Sequence, residues 1–205
     1  MIICRATPTY STHVAASQAT VLGLCGNPRV GSRTLNVVDA ASRAVAEAVG
    51  GCQLGSIDLV ELGGELFHAR AANVTRALEQ VMQADILVVG SPVYKASYTG
   101  VLKAFCDHIS AGQLSGKLAI PLMMGGSLQH FLALEVHLRP LLVELGAICP
   151  TPGLYVVETE LDQLDAQLTA YVESIAPALA LLRARMSSSS SRRSTFDRPY
   201  PDRPA

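Results

Sequence analysis

Three short stretches of this chain carry residue types suited to holding a ligand. The first is Gly26-Asn-Pro-Arg-Val-Gly-Ser-Arg-Thr34, which follows an apolar run and opens a helical pattern. Gly26 and Gly31 let the backbone turn tightly and approach a bound group. Pro28 stiffens the loop. Ser32 is placed to cap the helix, whose first turn offers free N–H groups and a partial positive charge. Arg29, Ser32, Arg33 and Thr34 add side-chain donors, with Asn27 beside them. The set suits a terminal phosphate monoester. It is neither a Walker loop nor a dinucleotide fingerprint, because Gly-Lys-Ser/Thr and G-x-G-x-x-G are both missing. The second stretch is Ser91-Pro92-Val93-Tyr94-Lys95, after a run of apolar β-branched residues. A fixed Pro, an aromatic and backbone free to approach a ligand suit a flat heterocycle. The third is Gly125-Gly126-Ser127, where adjacent glycines again permit close backbone approach.

All three stretches follow short apolar runs that read as strands. Such runs lie at Thr20–Cys25, 53–60, 85–90, 117–124 and within 147–157. Between them the apolar spacing turns helical, near 32–49, 71–83, 98–111 and 131–145, with a last helix near 161–185. Gly50-Gly51 ends the first helix. Strands alternating with crossover helices make a parallel, doubly wound α/β sheet. In such a sheet, ligands bind where strand carboxyl ends meet loops, which is where all three stretches fall.

Composition narrows the class. The 205 residues suit one domain, with 49% apolar and 16% charged residues. A net charge of −1 offers no field for nucleic acid or an anionic membrane. No apolar run reaches the roughly 18 residues of a membrane span. The N-terminus lacks the pattern of a secretory signal. Five scattered cysteines form no CxxC pair and no zinc spacing, which fits reduced thiols in a cytoplasm. Residues 1–18 read as an N-terminal extension, 19–185 as the domain and 186–205 as a disordered Ser/Arg/Pro tail.

Taken together, GNPRVGSRT and SPVYKASYTGVLKAF resemble the NAD(P)H-dependent FMN reductases of flavodoxin-like fold. They are most similar to the reductases that supply reduced FMN to sulfonate monooxygenases. The resemblance implies a five-stranded sheet of order 2-1-3-4-5 and hydride transfer from NADPH or NADH to FMN. It implies FMN contacts from Asn27, Arg29, Ser32, Arg33 and Thr34 on the phosphate. It also implies contacts from Pro92, Val93, Tyr94, Lys95, Gly125, Gly126 and Ser127 around the isoalloxazine. No catalytic residue and no metal are expected, since stacked rings carry the chemistry. Flavin-retaining quinone and azo reductases of this fold carry Pro-Gly where this chain has Tyr98-Thr99-Gly100. In the sulfonate-linked reductases a tyrosine-containing irregular helix start sits there, at a subunit interface. Tyr98 is therefore expected at an interface tied to flavin release, in a homodimer or homotetramer with an apolar helix carrying Val101, Leu102 and Phe105. The alternatives are an FMN-retaining quinone or azo reductase and a flavodoxin-type carrier, the latter disfavoured by the weak net charge.

Overall fold

The computed structural model describes residues 18–68 and 70–189. The chain runs β1 (Thr20–Cys25), α1 (Arg33–Val49), β2 (Cys52–Asp58), a 3-10 stretch (Leu59–Phe67), α2 (Ala72–Gln83), β3 (Ile86–Pro92) and α3 (Gly100–Cys106). It continues through β4 (Leu118–Gly125), a π-helical turn (Leu134–Leu138), α4 (Arg139–Glu144), β5 (Leu154–Val157), a 3-10 stretch (Glu158–Gln163) and α5 (Leu164–Ser189). The five strands form one parallel sheet in the order β2-β1-β3-β4-β5. The expected order therefore holds.

Alternation along the strands explains the layers. Leu22, Leu24, Leu87, Val89, Ala119 and Met123 point to the face covered by α2, α3 and the π-helical segment. Val21, Cys25, Ile86, Val88, Ile120 and Leu122 point to the face covered by α1 and α5. All seven residues of β3 are buried, as a central strand covered on both faces requires.

Several boundaries differ from the sequence expectation. β5 lies within the expected 147–157 but takes up only Leu154–Val157, with a single bridge at Ile148 before pairing resumes. The cause lies in β4. Ala119 donates to the Ile148 carbonyl, and the next amide on that edge belongs to Pro121, which has no N–H. The ladder lapses there, and residues 149–153 loop out, held by Arg139 Nη1 on the Cys149 carbonyl and Nη2 on the Thr151 carbonyl, each at 2.9 Å. The expected helix at 131–145 is split. Pro140 opens α4 without an N–H, and a proline ring collides with the carbonyl four residues back. The preceding turn widens, and the Arg139 N–H bonds the Leu134 carbonyl, five residues back. α5 continues to Ser189, past the expected start of the tail at 186. The extension at 1–17 and the tail from 190 lie outside the described residues.

Candidate functional site

The three expected stretches converge at the carboxyl edge of the sheet. The loop after β1 is fastened from several directions. The Gly26 amide donates to the Gly90 carbonyl at 2.8 Å, and the Gly26 carbonyl accepts from the Thr99 hydroxyl. A Cβ on Gly26 would stand 2.5 Å from Leu102 Cβ, so only glycine lets α3 approach so closely. Gly31 has φ 60°, which glycine adopts without strain, and its amide donates to Asp58 Oδ2 at 3.2 Å. Ser32 caps α1, accepting from the Leu35 amide at 3.2 Å. The Arg33 and Thr34 amides fall in the first turn, where no intrahelical acceptor exists.

The proposed phosphate residues divide into two groups. Asn27 and Thr34 are buried and face each other, Asn27 Nδ2 donating to Thr34 Oγ1 at 2.9 Å. Asn27 Oδ1 also accepts from the Arg29 amide at 3.0 Å. Their side chains brace the loop from within. Arg29 lies exposed at the surface. Arg33 is exposed too, and its Nη2 pairs with Glu158 Oε2 at 2.8 Å.

The strand before the second stretch runs two residues past its expected end at 90. Ser91 and Pro92 complete β3 and are buried. The Val93 amide donates to the Met124 carbonyl at 2.8 Å. Tyr94 and Ser97 exchange backbone bonds at 2.9 and 3.1 Å, closing a tight turn. Lys95 and Ala96 occupy its tip with φ 51° and 61°. Two non-glycine residues in the left-handed region carry strain of order 1–3 kcal/mol each, and such strain clusters at ligand clamps. Among the described residues, the Lys95 and Ala96 amides make no backbone bond, so this exposed tip offers two donors. Tyr94 is 41% exposed beside them.

Tyr98 precedes the helix and is half-buried against the core. α3 starts regularly at Gly100, behind a Thr99 cap that accepts from the Leu102 amide at 3.2 Å. The irregular turn expected at Tyr98 is therefore not there. The π-helical turn of this protein lies at Leu134–Leu138. Of the three apolar residues expected on this helix, Leu102 and Phe105 are fully buried within the chain and Val101 is half-buried.

Gly125 closes β4, and Gly126 and Ser127 lie exposed beyond it. A Cβ on Gly125 would fall 2.1 Å from the Tyr155 hydroxyl. That hydroxyl donates to the Ser127 carbonyl at 2.8 Å, fixing the loop to β5. Burial pushes the Tyr155 hydroxyl pKa up, so it remains a donor at neutral pH.

Asp58, Tyr155 and Glu158 are residues of the candidate site that the sequence did not single out, and Ser91 and Thr99 lay in its stretches without a role. Thr99 donates its amide to Ser91 Oγ at 3.1 Å and its hydroxyl to the Gly26 carbonyl, lacing the first two loops together. Asp58 ends β2, and burial raises its carboxyl pKa despite the Gly31 amide. Burial also pushes the Cys25 thiol up to about 11 and Cys106 up to about 12, so both remain neutral thiols. Among the described residues no cluster of His, Cys, Asp and Glu could hold a metal ion. No described helix is long and apolar enough to cross a membrane.

A cradle of first-turn amides with glycine approach, beside a strained turn and a glycine loop, fits a phosphate joined to a flat ring system. Comparison with known proteins points the same way. The family model described as NADPH-dependent FMN reductase matches residues 19–162, which contain all three loops. An FMN reductase (NADPH) of Pseudomonas putida is 30% identical over 161 residues, covering 77% of each chain. The NADH-dependent FMN reductase SfnF of Pseudomonas putida is 32% identical, covering 70% of this chain and 80% of its own. Among solved structures, the apo form of an NADH:FMN oxidoreductase, EMOB, superposes with TM-score 0.71 at 30% identity, covering 85% of this chain and 94% of that one.

Proposed function

The chain belongs to the NADPH-dependent FMN reductase family, and on that premise we propose that it reduces FMN as a substrate and releases it to a monooxygenase. The carrying observation is that the family match spans the three loops that meet at one sheet edge. The reductant is NADPH or NADH, since relatives are named for each. The nicotinamide supplies the hydride and the flavin accepts it. The protein's part is to hold and orient. The Arg33 and Thr34 amides at the start of α1, with Arg29, Ser32 and Arg33, bind the phosphate. Asn27 and the Thr34 hydroxyl keep that loop in shape. The Lys95 and Ala96 amides and Tyr94 meet the ring on one side, with Pro92 and Val93 beneath them; Gly125, Gly126 and Ser127 border it on the other. Proximity of the two rings then carries the rate.

The proposed receiving partner is a flavin-dependent monooxygenase that desulfonates organic sulfonates. The four described cysteines are unpaired, in keeping with a cytoplasmic home. Self-association as a dimer or tetramer would use Leu128, Phe131, Leu132, Val136 and Val143, each more than half exposed on the segment around the π turn. Tyr98 then influences flavin release from behind the second loop rather than from a helix irregularity.

The experiment is gel filtration followed by steady-state kinetics. The purified protein should emerge colourless and show saturable dependence on added FMN, with NAD(P)H oxidation as readout. Arg33→Ala should raise the FMN constant and leave that for riboflavin unchanged. Stoichiometric FMN retained through the column would replace this reading with a flavin-bound quinone or azo reductase.

A further inference from the structure

We propose that Glu158 is a positioning residue that competes with the flavin phosphate for Arg33, keeping FMN affinity low enough for the reduced product to leave. The inference rests on the FMN reductase reading and concerns how that site is regulated. Arg33 is the first residue of α1, directly after the Ser32 cap that marks the phosphate cradle. Glu158 directly follows β5, at the same sheet edge. The two meet at 2.8 Å across 125 residues of sequence, so the fold itself brings this carboxylate to the cradle. A guanidinium fork binds one carboxylate or one phosphate in the same geometry. In this structure it holds the carboxylate.

Exposure makes the pair exchangeable. The Arg33 side chain is 60% exposed and that of Glu158 34%, so water screens the pair and it contributes little to stability. A fully buried pair would be locked in place. Here the phosphate can take Arg33 over, but only by displacing Glu158 and then standing near its charge. Both effects subtract from FMN binding, and neither acts on riboflavin, which has no phosphate.

Glu158→Gln keeps the size of the side chain and removes the charge. The apparent constant for FMN should fall about two- to fivefold, the range that an exposed ion pair is worth. Stopped-flow dissociation of FMN should slow by a similar factor. The constant for riboflavin should stay put, and the gain should shrink in high salt as the charges are screened. In an Arg33→Ala background, Glu158→Gln should give no gain. An FMN constant that is unchanged or raised by Glu158→Gln overturns the competition, as does an equal shift for riboflavin or a gain that persists without Arg33. If Arg33→Ala alone leaves FMN binding untouched, the phosphate role of Arg33 falls and the competition falls with it. If Arg33→Ala weakens FMN while Glu158→Gln has no effect, only the competition fails.

Discussion

Replacing Thr99 with Val tests whether one hydroxyl holds the first two loops together. Thr99 is 3% exposed, and its hydroxyl donates to the Gly26 carbonyl while accepting from the Leu102 amide. Valine keeps the shape and loses both bonds. Losing a cap costs about 1 kcal/mol. Leaving a buried carbonyl unpaired costs about 1–3 kcal/mol more. We predict a loss of about 2–4 kcal/mol in urea unfolding. For a chain of this size that lowers Tm by about 4–16 °C. Thr99→Ser keeps the hydroxyl and should lose about 1 kcal/mol at most, for its methyl group. Freed from Thr99, the Gly26 loop should also hold phosphate less well, so the FMN constant should rise more than that for riboflavin. If Thr99→Val stays within about 0.5 kcal/mol of the parent, or if the serine variant is equally unstable, the hydroxyl does not brace the site.

Tyr155→Phe deletes the bond to the Ser127 carbonyl without changing the packing. It should raise the constants for FMN and riboflavin alike, severalfold, if the loop it holds borders the ring as proposed. An effect confined to FMN would place that loop at the phosphate instead. Asp58→Asn probes pH. Burial holds the folded carboxyl pKa above its ordinary value, so ionisation opposes folding. That penalty is present above the folded pKa and disappears as pH falls below the unfolded one. The Asn variant, whose Oδ1 can still accept from Gly31, should gain most in Tm over the parent at neutral pH and least near pH 4. A constant difference across that range would show that Asp58 titrates as an ordinary surface carboxylate.

The parts of the fold legible in the sequence are those governed by local pattern. β1, β3 and β4 read as continuous apolar runs because strands buried on both faces need no polar alternation. The Ser32 cap and the Gly50 stop were also visible, since both are single-residue chemistry. The start of β5 was not, because the missing donor belongs to Pro121 on the neighbouring strand. The helix expected from 98 starts at Gly100, because the Thr99 hydroxyl, and not Tyr98, supplies the cap. In the candidate site, residue types pointed to three loops that the fold brings to one sheet edge, but not to side-chain directions. Asn27 turns inward to Thr34, and Arg33 reaches Glu158, a residue 125 positions away that no local spacing connects.

The lapse at Pro121 has a consequence for how copies of this chain can meet. An open sheet has two raw margins, and each is a template for unwanted strand addition. At one margin β5 offers only four residues, with Pro150 and Pro152 just ahead of it. At the other, β2 shifts register beside Gly55, whose φ of 97° breaks the regular line of donors. Neither margin presents the long flat row that a foreign strand needs. Sheet extension by a second copy is thereby blunted at both margins by the same prolines and glycine that interrupt the ladder.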